Sequence, residues 1–173
     1  MTMRLVPLDR DLVLWAAEEE GDPLTLSMSN RPGWAESFCA AGTLGAALLA
    51  EGRVMAAGGL VPMWHGRALA WFMASPKARL VHKLRALRVV RGCLFQAQNF
   101  PAFRRVEMVC RADHGGHPAA RLARFLDMTL EGRMTAFDPN GATYLLFARV
   151  VANRDPAESK CSFSEPFIRY GGT

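Results

Sequence analysis

The sequence predicts a mixed α/β (α+β) domain: a mostly antiparallel central sheet of about six or seven strands, flanked by about four helices. Three observations carry this. Val106, Met108 and Cys110 alternate with Arg105, Glu107 and Val109, the period of a strand, and an amphipathic helical pattern follows. A single long stretch from Pro76 to Gln98 repeats leucines at helical spacing. The rest of the chain is short strand-like runs separated by turn residues, too short to be anything but paired strands.

In chain order, Arg4-Leu5-Val6 opens as a strand, and Asp9–Glu20 carries Leu12, Val13, Trp15 and Ala16 on a helix that Gly21-Asp22-Pro23 stops. Ser29–Trp34 is loop-like, and Trp34–Ala41 a short second helix. Thr43–Ala50 and Arg53–Val61 flank Glu51-Gly52, a two-residue connection that suits a hairpin. Pro62–Gly66 turns the chain into Arg67–Ala74, whose run Ala68–Met73 is apolar on both faces and reads as a buried central strand. Ser75 is placed as an N-cap and Pro76 as the first residue of the long helix, which Asn99-Phe100-Pro101 ends. Arg104–Cys110 is the next strand. After the turn-rich Ala112–Pro118 comes a helix over Ala119–Met128, with Leu122, Phe125 and Leu126 on one face. Strands at Arg133–Phe137 and Thr143–Val150, joined by Asp138-Pro139-Asn140-Gly141, close the unit. Residues 1–150 thus form one domain, and 151–173 a C-terminal extension.

Composition is globular: 50% apolar and 21% charged residues among 173. No apolar run approaches a spanning helix, and Met1–Pro7 lacks the apolar core of a signal peptide, so the expectation is a cytoplasmic protein without a membrane span. Cys39, Cys93, Cys110 and Cys161 are widely spaced and read as small hydrophobes in a reducing compartment. His114 and His117 straddle Gly-Gly without a third ligand and read as polar loop residues, so no metal is expected.

The net charge of +5 is concentrated. Lys77, Arg79, Lys83, Arg85, Arg88 and Arg91 fall on the long helix and its start, with no acid among them, while Leu80, Leu84, Leu87 and Leu94 form its apolar stripe. Such a helix is a solvated face, a contact for an anionic partner, or a helix start that attracts phosphate; the residues alone leave the three open. Without interleaved aromatics, any nucleic-acid contact would be non-specific.

The order strand, helix, helix, three antiparallel strands, long helix, strand, helix, two strands resembles the GNAT (GCN5-related N-acetyltransferase) superfamily over about residues 3–150. An aromatic-rich strand (Trp71-Phe72-Met73), a Lys/Arg-rich helix, a strand ending in a small loop and an Arg124-Phe125-Leu126 helix make Ala70–Met134 similar to small GNAT-like virion-associated proteins of short-tailed bacteriophages.

The resemblance implies an acyl-coenzyme A site, and the chain departs from it at each functional position. The family's Arg/Gln-x-x-Gly-x-Gly/Ala loop, whose backbone N–H groups hold pyrophosphate, is here Ala74-Ser75-Pro76-Lys77-Ala78-Arg79, without glycine. Ser75, Lys77 and Arg79 remain as side-chain contacts for acetyl- or another acyl-coenzyme A. The strand that commonly carries a general base, Arg67–Ala74, has no carboxylate, and Glu107 on the next strand alternates onto the side away from the apolar set, where it reads as solvated. The helix that commonly bears a proton-donating tyrosine offers Phe125, Leu126 and Met128; Tyr144 lies in the last strand, and His65 and His82 have no paired acid. Glu131-Gly132-Arg133 stands where the family has Gly-Phe. Phe163, Phe167, Ile168 and Tyr170 give the extension an apolar face that either packs back on its own domain or docks on a neighbouring subunit as an aromatic anchor.

Two functions follow as expectations. The favoured one is a non-catalytic structural or assembly protein of GNAT fold, a phage virion component without cofactor, meeting protein partners through Lys83, Arg85, Arg88 and the tail. The alternative is an acyl-coenzyme A-dependent N-acyltransferase with an atypical pyrophosphate loop.

Overall fold

The computed structural model describes residues 3–20, 23–40, 44–98, 103–112 and 118–150. The chain runs β1 (Met3–Pro7), α1 (Arg10–Glu20), α2 (Pro23–Ser29), α3 (Trp34–Ser37), β2 (Leu44–Ala50), β3 (Arg53–Trp64), β4 (Gly66–Ala74), α4 (Leu80–Gln98), β5 (Phe103–Arg111), α5 (Pro118–Phe125), β6 (Thr129–Met134) and β7 (Tyr144–Val150). The seven strands form one sheet in the order β1-β2-β3-β4-β5-β7-β6. Every neighbouring pair is antiparallel except β4 and β5, which are parallel because α4 carries the chain back between them.

The alternation along β4 divides the molecule into layers. Ala68, Ala70, Phe72 and Ala74 pack with Ala86 and Leu94 of α4, with Ala120 and Ala123 of α5 and with Leu126 just beyond it. Trp71 and Met73 face the other way, toward Val13, Ala16 and Ala17 of α1 and Trp34 of α3. Covered on both faces, β4 has the continuous apolar run of a central strand. Gly58 of β3 lies directly opposite Phe72, and a Cβ there would come within 3.1 Å of the Phe72 ring, so the glycine lets that ring lie across the sheet beneath α4. The hairpin between β2 and β3 turns through Glu51 (φ 54°) and Gly52 (φ 73°), the two left-handed residues that a twist-matched two-residue turn requires.

Several boundaries differ from the sequence expectations for local reasons. Pro76 does not start the helix: it sits inside a turn in which the Ala78 N–H donates to the Ser75 carbonyl (3.0 Å), a position proline's fixed φ also favours. The helix begins only at Leu80. Its entry is capped by His82, whose Nδ1 accepts the Arg79 N–H (3.3 Å), a reach-back usually made by Glu or Gln. His82 is 2% exposed and therefore belongs to the buried side of α4, not its basic surface.

The buried stripe of α4 is His82, Ala86 and Leu94, continued from Ala78 of the preceding turn; Leu80 (71% exposed) and Leu84 (47%) lie outward with Lys83, Arg85 and Arg88. Small alanines bring the helix close to the sheet, and that rotates the first two leucines to the outside. Helix α5 ends at Phe125 rather than Met128. The Met128 N–H donates to the Ala123 carbonyl and the Asp127 N–H to that of Arg124 (both 3.0 Å), with Asp127 left-handed (φ 56°). An aspartate where glycine is usual hid that stop, and β6 accordingly starts at Thr129 instead of Arg133. Among the described residues no helix is long and apolar enough to cross a membrane.

Candidate functional site

The parallel ladder of β4 and β5 runs from the Gly66–Phe103 pair to the Leu69–Glu107 pair and then stops. Beyond it, Ala70–Ala74 stays paired to β3 and Met108–Arg111 to β7, but not to each other. The sheet therefore splits at the carboxyl ends of its two parallel strands, where the chain order reverses and where ligands enter open sheets. Each lip of the split presents backbone N–H and C=O groups with no ladder partner across the gap. An apolar cavity of about 60 Å³ lies beside it, lined by Ala70, Phe72, Ala86, Val90, Met108 and Leu122 among others.

The β4–α4 loop closes one end of the split, and its N–H groups are already used. That of Ser75 donates to the Met55 carbonyl (3.0 Å), that of Lys77 to Ser75 Oγ (3.2 Å), that of Ala78 to the Ser75 carbonyl and that of Arg79 to His82 Nδ1. Pro76 has none. A loop in this state has no backbone donors to offer a pyrophosphate, which agrees with its lack of glycine.

The side chains are occupied as well. Ser75, 5% exposed, donates its hydroxyl to Glu19 Oε2 (2.9 Å), and Lys77 Nζ meets Glu19 Oε1 (3.2 Å). The Ser75 hydroxyl and the Lys77 ammonium hold the Glu19 carboxyl below its usual range. Arg79 pairs with Glu51 at 2.7 Å. The three residues expected to contact a cofactor are thus together at the head of α4, each facing a carboxylate.

Glu107 sits where the split begins and is 4% exposed, not solvated as the alternation suggested. Its carboxylate accepts hydrogen bonds from Arg67 on β4 and from its own-strand neighbour Arg105. Burial acts to raise its pKa, and the two guanidinium groups outweigh that and hold it low. Arg105 reaches on to Glu131 (Nη1 to Oε1, 3.1 Å), which occupies a β6 bulge between Leu130 and Gly132. Between them lies Ala148, directly opposite both Glu107 and Thr129 and small enough for the guanidinium to pass over. Arg67, Glu107, Arg105 and Glu131 form a neutral ladder of alternating charge. The sequence hid it because its members lie 40 and 26 residues apart.

On this same face Trp34, Phe38 and Trp71 stack edge to face, with centroids 4.8 and 4.7 Å apart. Tyr144, buried, stands directly opposite Arg111 at the far lip of β5. On the other face, α5 and the turn after it line the cavity with Leu122 and Leu126. Phe125, where a proton donor was looked for, is 45% exposed beneath Arg91, 5.2 Å from its guanidinium. His65 is exposed in the β3–β4 turn.

Lys83, Arg85 and Arg88 are on the outer surface of α4 as expected. His114, His117, Phe163, Phe167, Ile168 and Tyr170 lie outside the described residues. Of the cysteines described, Cys110 is a buried core residue whose thiol burial pushes upward, whereas Cys39 is exposed. Among the described residues no group of three or more potential ligands could hold a metal ion.

The sequence matches no protein-family model and no curated protein. The fold has clear likenesses. The ribosomal-protein-S18-alanine N-acetyltransferase of Escherichia coli superposes with a TM-score of 0.63 at 12% identity, over 90% of this chain and 97% of that one. A ribosomal L7/L12 α-N-protein acetyltransferase solved with coenzyme A gives 0.64 at 13%, over 87% and 95%. A spermidine N-acetyltransferase from Vibrio cholerae gives 0.62 at 9%, over 86% and 93%. The architecture is therefore GNAT-like. These likenesses are to acetyltransferases and lend no support to a virion-associated subtype.

Proposed function

We propose that this chain is an acyl-coenzyme A-dependent N-acyltransferase whose phosphate contacts come from side chains instead of a glycine-rich loop. The observation that carries the proposal is the split between β4 and β5 with an apolar cavity beside it. The two unpaired strand edges suit the amide-bearing arm of coenzyme A, which can pair with either lip as an added strand does. The cavity suits an acyl group, and Lys77 and Arg79 supply positive charge at the head of α4. When bound, the thioester supplies an activated carbonyl for attack by an amine.

Within the chain, Arg67, Glu107 and Arg105 tie β4 to β5 at the point where they diverge and so set the angle of the split. Glu107 is ionised but its oxygens are committed to two guanidinium groups, which makes it a positioning residue at rest rather than a free base.

Titration of the purified protein with acetyl-coenzyme A by calorimetry, followed by thiol release in the presence of amine acceptors, tests the reading. Micromolar binding with acceptor-dependent thiol release is expected. Absence of heat and of any thermal shift with acetyl- and longer acyl-coenzyme A would falsify it.

A second reading, a non-catalytic GNAT-fold assembly protein of a virion, is favoured by the outward Leu80, Val81 and Leu84 beside Lys83, Arg85 and Arg88, a mixed apolar and basic surface suited to a protein partner. Its mark would be a protein that binds no acyl-coenzyme A and self-associates through α4.

A further inference from the structure

Glu19, at the end of α1, is bound to the two residues of the β4–α4 loop best placed to receive phosphate. Its Oε2 accepts from Ser75 Oγ at 2.9 Å and its Oε1 meets Lys77 Nζ at 3.2 Å. The carboxylate side chain is 17% exposed, Lys77 66%, and Arg53 of β3 adds positive field from a third element. Chemically this is a two-oxygen anion held by a hydroxyl and an ammonium, the same donor set that would hold two oxygens of a phosphate. The loop's backbone N–H groups are spent internally, so a phosphate arriving here must be held by side chains, and Glu19 already occupies two of them.

We propose that Glu19 is an internal anion in the phosphate position, so that a phosphate-bearing ligand binds at Ser75 and Lys77 only by displacing it. The proposal rests on the acyl-coenzyme A reading above and adds to it a built-in competitor. A ligand anion must meet Lys77 while Glu19 swings away, and the cost of parting Glu19 from its partners is subtracted from the affinity. α1 and the β4–α4 loop are then joined at rest and separated when the ligand is bound.

The test is coenzyme A binding by calorimetry to four proteins: the parent, Glu19→Gln, Lys77→Met and the double variant. Glutamine keeps a hydrogen-bond acceptor for Ser75 while removing the charge, so the tether to the loop survives and only the competition is lost. Glu19→Gln is expected to bind roughly tenfold more tightly than the parent, with the gain confined to proteins that retain Lys77, as one double-mutant cycle will reveal. Inorganic pyrophosphate, as a second probe, should follow the same order.

Parent binding with no gain, or a loss, in Glu19→Gln overturns the displacement and leaves the acyl-coenzyme A reading standing. A gain of equal size with and without Lys77 also overturns it, because the contact then acts on loop structure and not on charge. Failure of both the parent and a folded Glu19→Gln protein to bind either probe ends both readings together. Thermal unfolding of each variant separates loss of binding from loss of fold.

Discussion

The two ends of the candidate site differ in how their backbone is used. In the split between β4 and β5, N–H and C=O groups of both lips face a gap beside an apolar cavity. At the head of α4, a few residues on, the N–H groups of Ser75, Lys77, Ala78 and Arg79 are all spent within the protein and the side chains are paired with carboxylates. The split is a feature of sheet topology: a crossover helix brings two strands side by side, and their ladder ends after Leu69 and Glu107 at the carboxyl ends of the pair. The loop is a feature of side chains: proline, serine and histidine close it, and glycine would have left it open. The same fold can therefore keep its split while the loop beside it closes on itself.

Substitutions at the two ends should differ in kind. The largest effect on stability is expected from Glu107→Ala at the foot of the split, which leaves Arg67 and Arg105 without their shared carboxylate. A cost of about 2–3 kcal/mol in urea unfolding is anticipated, below that of a fully buried pair because both arginines can turn to water. Its pH dependence gives a sharper reading. The folded carboxyl lies below its ordinary value of 4.5, so its contribution is complete above that value and is lost as pH falls through the folded pKa. The gap between parent and variant should be full at neutral pH and shrink below about pH 4. A gap that stays constant down to pH 3 would mean that the carboxylate does not hold the strands.

Next comes Ala86→Leu, which adds bulk to a residue lining the cavity that is only 4% exposed. Overpacking of about 1–3 kcal/mol is expected, together with loss of acyl-coenzyme A binding. Retained binding would take the cavity out of the ligand site. The smallest stability effect belongs to the loop. Lys77→Ala should leave the melting midpoint within about 2 °C of the parent, as exposed ion pairs usually do, while weakening coenzyme A binding. A large fall in melting temperature would make the loop as structural as the split and remove the contrast.

Much of this was legible in the residues themselves. The apolar run of β4 announced a strand covered on both faces, and Glu51-Gly52 announced a tight hairpin, because both signals are local. The missing glycines of the β4–α4 loop were equally plain. Three things were not. Glu107 read as solvated because alternation tells only that it faces away from Val106 and Met108; Arg67, which meets it, and Glu131, which holds its neighbour Arg105 in place, arrive from other strands. Leu80 and Leu84 read as core because helical spacing marks a stripe but not which stripe meets the sheet, and Ala78, Ala86 and His82 win by fitting closer. Helix α5 outran its true end because Asp127, not glycine, takes the left-handed position.

By itself, the sequence determined the order of elements except α2, which starts at the Pro23 that was read only as a stop, together with the β2–β3 hairpin, the crossover helix and the absence of glycine from the β4–α4 loop, since each depends on backbone preferences within a few residues. Only the tertiary structure decided what faces what: that the sheet splits after Leu69 and Glu107, that α4 turns leucines outward, and that Glu19, 56 residues from Ser75, sits on Ser75 and Lys77. Charge pairing and burial are set by distance in space, and no local pattern of residues encodes them.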